Sequence, residues 1–133
     1  AYVQGAIGIP TYAGTAEQFY SWGIAEGERG NYKGAIQNFN VALSINPNLA
    51  SAYLARGLAQ YRLGNEAGAT QDAQIAAKLF ETQKNTSGYE ASQNFIKGIE
   101  AVQNAANHSQ DPGPDLGNLV RGLASIVMQF LLR

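Results

Sequence analysis

The stretch Gly30 to Asn48, GNYKGAIQNFNVALSINPN, couples a Gly-Asn turn signal to an apolar pattern of helical spacing that stops at Asn46-Pro47. The same block returns 34 positions later: Gly23 falls on Gly57, Ala25 on Ala59, Gly30 on Gly64, Asn31 on Asn65, Ala35 on Ala69 and Ala42 on Ala76. The pattern predicts helices over about 16–29, 32–45, 49–62 and 66–84. Thr15 and Gln18 can form a capping box at the first, and Pro47-Asn48 can stop the second and cap the third. Ser87-Gly88-Tyr89-Glu90 resembles another capping box, ahead of a face formed by Tyr89, Phe95, Ile96, Ile99 and Val102, so a fifth helix is predicted over 88–106. That helix is either the first of a degenerate third repeat or a cap. His108 to Gly117 holds two prolines and two glycines and reads as a linker, taken as 108–115, and a last helix follows over 116–133.

A period of about 34 residues made of two helices describes an all-α helical solenoid, in which each hairpin buries its apolar face against the next. The register of small and large residues has a physical reason. Gly23, Ala35, Ala42, Gly57, Ala69 and Ala76 recur where helices must approach to about 8 Å, and Trp22, Tyr32, Phe39 and Tyr53 fill the space beside them.

These residues resemble the tetratricopeptide repeat family. The first unit, 16–49, carries Phe19 and Trp22, Gly23, Gly30-Asn31-Tyr32, then Ala35, Phe39, Ala42 and Pro47. The second, 50–83, is similar through Tyr53, Gly57, Ala59, Gly64, Ala69 and Ala76, but has Arg56 where an apolar residue is usual and Phe80-Glu81 where the closing proline would be. The resemblance implies a solenoid over 16–107, flanked by an N-terminal arm over 1–15, and peptide ligands held in the groove lined by the first helix of each hairpin. By position that groove presents Glu17, Tyr20, Ile24 and Gly27, then Ser51, Leu54, Leu58, Tyr61 and Arg62. Tyr20, Ile24, Leu54, Leu58, Tyr61 and Arg62 are the expected partner-binding residues, with Tyr20, Leu54 and Tyr61 as anchors. The family's carboxylate-binding members use Lys, Arg and Asn at these places, so Tyr20, Ile24, Leu54 and Leu58 point away from capture of an acidic chain end. The same residues have a structural alternative, packing against the chain's own arm, fifth helix or last helix.

In the last helix Leu116, Leu119, Val120, Leu123, Ile126, Val127, Phe130 and Leu131 recur at spacings of three and four, and Met128 and Leu132 widen the stripe. Burial of such a stripe is worth on the order of 10 kcal/mol, so it requires a cover. The cover is its own solenoid, a second copy in a homodimer, or a membrane surface or partner groove. Leu119, Leu123, Ile126, Val127 and Phe130 are the expected contacts. A helix that returned to the groove would act as an internal ligand, and deleting residues 111–133 would then raise partner affinity.

Composition narrows the function. The net charge of -1 recruits no nucleic acid. Cysteine is absent and His108 is the single histidine, which removes thiol and most imidazole chemistry. Charged residues are 14% of the chain, against roughly 25% in ordinary soluble domains, which favours an exported or membrane-associated setting over a cytoplasmic one. The start, AYVQGAIGIP, is not a signal peptide, so none existed or it has been removed. Gly122 to Leu132 falls short of the ~20 apolar residues of a spanning helix, leaving only indirect membrane contact. His108, Asp111 and Asp115 lack the rigid geometry of a metal site. Glu26, Glu28 and Arg29, and Asp72 with Arg56 and Arg62, read as solvated faces or partner contacts rather than acid-base groups. Asn85-Thr86-Ser87 and Asn107-His108-Ser109 match the glycosylation acceptor pattern, a match that arises often by chance. The expectation is a chain that is not an enzyme, takes no cofactor or metal, and serves as a protein–protein interaction module, a scaffold or assembly factor holding an apolar peptide or helix. The alternative is a structural subunit buried permanently in a larger, membrane-associated complex.

Overall fold

The computed structural model describes the backbone of residues 14–108 and 115–132, and the side chains of 14–105, 122 and 124–132. Residues 1–13 of the arm expected over 1–15, the side chains of Asn107, His108, Asp111 and Asp115, and all of Ser109 lie outside the described residues. The fold is all-α: α1 (Ala16–Glu28), α2 (Tyr32–Ile45), α3 (Ala50–Arg62), α4 (Glu66–Thr82), α5 (Thr86–His108) and α6 (Asp115–Leu131), with no strand among the described residues. Successive helices pair as antiparallel neighbours from α1 to α5, so a helical-hairpin solenoid forms as the spacing predicts.

One turn geometry is used three times. Gly30 and Gly64 have φ of +84° and +90°, and the amide after each donates back to a carbonyl five residues earlier, Asn31 to Glu26 at 2.9 Å and Asn65 to Gln60 at 2.8 Å. This is a Schellman termination, and the same asparagines then cap the next helix through Oδ1, accepting from Gly34 and Gly68. The turn from α4 to α5 repeats this geometry with Lys84 at φ +60°, Asn85 donating to Phe80 at 2.8 Å and accepting from Gly88 at 2.9 Å. Asn85, not Ser87, is therefore the cap, and α5 begins at Thr86. The sequence pattern hid this because lysine stands where the other two turns have glycine.

The reciprocal box between Thr15 and Gln18 forms at α1. Asn48 does not cap α3; Leu49 occupies that position without a side-chain bond, while the Asn48 amide donates to Asn46 Oδ1 at 3.1 Å.

The hairpins close at their glycines. In the first, a Cβ on Gly23 would run into the Phe39 ring. In the second, Ala73 stands one period after Phe39, and the backbones themselves meet: a Cβ on Gly57 would lie 3.0 Å from the Ala69 carbonyl oxygen.

Arg56, the departure from the repeat pattern, has a partner. Its guanidinium holds Asp72 by two bonds of 2.8 and 2.9 Å and donates to Asn40 at 2.8 Å, tying α3 to both α2 and α4. Gln60 donates to the same carboxylate at 2.9 Å, and Asp72 is only 4% exposed. The hydrogen bond to Asp72 pushes the Arg56 pKa further up, outweighing the opposing effect of burial. Asp72, expected on a solvated face with Arg56 and Arg62, is instead buried and bonded to Arg56, whose own side chain stays partly exposed.

Two measurements check this account. Lys84→Gly raises stability by roughly 0.5–1 kcal/mol, because relief of a left-handed cost of about 1–2 kcal/mol exceeds glycine's extra entropy loss; a urea midpoint that falls contradicts it. Arg56→Ala costs about 3–5 kcal/mol by stranding a buried carboxylate. The pair Arg56→Leu with Asp72→Ala recovers most of that loss, and equal costs for single and double variants would show that the charge is not what matters.

Candidate functional site

α1 and α3 present Tyr20, Ile24, Leu54 and Leu58 toward a common core, and α5 adds Phe95 and Ile99. These side chains are apolar at helical spacing, so the hairpins generate a face they cannot cover. α6 covers it. It lies against α5 and α3, and its Ala124, Val127 and Leu131 join the same buried cluster. Val127 is fully buried, Phe130 meets Phe80 edge-on at 5.7 Å, and Met128 is half-buried. Ile126 and Leu132 remain 55% and 54% exposed, because only one side of the stripe faces the solenoid. The side chains of Leu119 and Leu123 lie outside the described residues.

One directional bond marks where the helix ends. The Tyr20 hydroxyl donates to the Leu131 carbonyl at 3.3 Å, satisfying one of the orphan acceptors of the last turn. Burial drives the Tyr20 pKa up to about 12 against the opposing pull of the Ser51 hydroxyl, so the phenol stays a neutral donor at physiological pH.

The groove residues separate into two groups. Leu54 is wholly inside, and Tyr61 is buried with its ring edge-on to Phe95 at 5.9 Å. Ile24 and Leu58 are buried yet border an open slot, and Arg62 is exposed beside it with its guanidinium 5.2 Å above the Tyr32 ring. The slot has a volume of about 370 Å³ and runs between α1 and α6 over α3, with Gly27, Leu58, Ala59, Met128 and Leu132 among its lining. Its charged members are Glu28 and Arg62. Ala124 escaped the sequence reading, which weighed only large apolar residues; the signal was its place four before Met128 and three before Val127.

Among the described residues no group of three or more His, Asp or Glu side chains could hold a metal ion, and no helix is long and apolar enough to cross a membrane. Glu26 pairs with Arg29 and Asn31 at the surface, which holds its carboxyl below the usual range, chiefly through the Arg29 hydrogen bond.

A family model described as TPR repeat matches residues 23–64. Tetratricopeptide repeat protein 36 of Danio rerio is 39% identical over 57 residues, 43% of this chain and 30% of that protein, so the chain spans under a third of the relative's length. No solved structure matches the chain. The 34-residue self-match, the glycine crossings within each hairpin and these two likenesses identify the paired helices as tetratricopeptide repeats, units that generally mediate protein–protein interaction and are typically noncatalytic.

Proposed function

We propose that this chain is a noncatalytic interaction module whose concave face holds an apolar helix or peptide of another protein, as a scaffold or assembly factor. The observation that carries this reading is the seating of α6. The face built by Tyr20, Ile24, Leu54 and Leu58 takes up a helix that belongs to no repeat, through Val127, Leu131 and the hydrogen bond from Tyr20 to the Leu131 carbonyl. A surface that recognises an apolar stripe in cis has the chemistry to recognise one in trans, because helix-in-groove binding draws its energy from the same buried anchors. Tyr20, Ile24, Leu54 and Leu58 supply the apolar contacts, Tyr61 supports them from beneath, and Arg62 stands at the edge where a polar rim belongs.

A synthetic peptide of residues 115–132 tests this. The full-length variant Val127→Asp with Leu131→Asp cannot seat its own α6, and it binds the peptide. The unaltered chain, with its groove filled by a tethered competitor, binds it at least roughly tenfold more weakly. Fluorescence titration of a labelled peptide gives both affinities, and an opened groove that ignores its own helix removes the reading.

A further inference from the structure

A helical stack needs a polar outer face at each end, because its terminal helices have no neighbour to cover them. The two ends of this one differ. At the far end α5 meets water through Glu90, Asn94 and Lys97, with Tyr89 beside them accepting a 3.3 Å hydrogen bond from Gln93. At the near end α1 presents Trp22, the chain's single tryptophan, which is 45% exposed; Phe19 meets it edge-on at 5.0 Å, and half-buried Ala25 follows one turn on. An isolated exposed apolar side chain is ordinary. An aromatic pair at the end of a stack marks the place where the next helix would lie.

The repeat shows which helix that is. Trp22 stands one 34-residue period before Arg56, and Arg56 reaches back to the helix that precedes its own hairpin, donating to Asn40 of α2 at 2.8 Å. Trp22 therefore faces the position that α2 holds on α3, while α1 is the first helix among the described residues. A second copy of the chain has no suitable helix to offer. Its α2 already carries α3 and its α4 carries α5, and head-to-tail stacking would set Glu90 and Lys97 against the indole. The chain's own arm has the pattern: one period before Ile36, Val41, Ala42 and Leu43 stand Tyr2, Ile7, Gly8 and Ile9, apolar for apolar and small for small. Gly5, Gly8 and Pro10 disfavour a helix, so what the arm shares with α2 is its order of apolar and small positions.

The chain also leaves α1 on the required side. The Thr15 amide donates to Gln18 Oε1 at 3.1 Å, and a Cβ on Gly14 would run into the same Gln18 side chain. Gln18 lies four residues before Trp22, on one stripe of α1. From Thr15 to Trp22 is about 10 Å along the axis, a distance that about three extended residues span, so Ile9 and Ile7 can reach the indole.

We propose that residues 1–13 fold back antiparallel to α1 and cap the solenoid at Trp22, with Ile7 and Ile9 against the indole, in the place where a preceding hairpin would set its second helix. The tether holds the arm at an effective concentration on the order of millimolar, which keeps this end from stacking on a foreign hairpin. Trp22 does not line the groove, so the cap and the groove reading stand or fall separately.

Trp22 is its own reporter in the full chain. Nuclear Overhauser spectra are expected to connect its indole with the methyls of Ile7 or Ile9. Ile7→Asp with Ile9→Asp frees the indole: its fluorescence moves to the red, acrylamide quenching increases, and Tm falls by roughly 2–8 °C while far-UV circular dichroism holds. In a Trp22→Ala chain the same arm substitutions change Tm far less, because residues in contact couple in a double-mutant cycle. Overhauser contacts from Ile7 and Ile9 to Leu58 or Met128 instead would place the arm in the groove and overturn the cap. Indole protection that fades on dilution would assign the cover to a second copy, with the same result. Equal Tm losses in the two backgrounds, or an indole quenched as readily in the unaltered chain as in the arm variant, overturn it too.

Discussion

Two helical hairpins stacked side by side create an apolar face larger than they can bury, and the rest of the molecule answers that constraint. A solenoid of two repeats lies below the number that normally gives a stable stack. Here α5 closes one end through Phe95 and Ile99, and α6 crosses the remaining face through Val127 and Leu131. The same constraint explains the polar exception. Arg56 and Asp72 sit where α2, α3 and α4 converge, and the near-complete burial of the Asp72 carboxylate is tolerated because Arg56 and Gln60 both bond to it while Arg56 also donates to Asn40.

The fold was legible because its signal repeats. Small residues such as Gly23 and Gly57, or Ala35 and Ala69, are required by helix approach, and a requirement imposed twice leaves a visible period. Chain turns were legible where glycine announced them, at Gly30 and Gly64, and illegible at Lys84, whose left-handed φ is carried by a residue that gives no such notice. Arg56 and Asp72 were legible as neighbouring charges but not as a contact that buries Asp72, because burial depends on how α3 and α4 pack.

The groove was legible in composition and not in occupancy. Periodicity gives which residues of α1 and α3 share a face, because one hairpin determines it. It cannot give what lies upon that face, because the stripe of α6 states only that water is excluded from it. Leu54 and Tyr61 fit either of the two sequence expectations, partner anchor or packing within the chain, and the structure buries both, Tyr61 with its ring against Phe95 of α5. Ile126 was read as a contact residue and is exposed, since a stripe broader than its seat must leave one edge uncovered.

Connectivity sets the terms on which any partner reaches this groove. A helix on the same chain competes at an effective concentration on the order of millimolar. A partner present at about micromolar levels that displaced it would need roughly a thousandfold advantage in intrinsic affinity, ~4.1 kcal/mol, while exposing Val127, Phe130 and Leu131 again. A partner that entered beside α6 would face no such competition and would bury Met128 and Leu132 besides. On the proposed interaction reading, the helix that completes the core would therefore act as a filter against ligands that match only the covered half of the face.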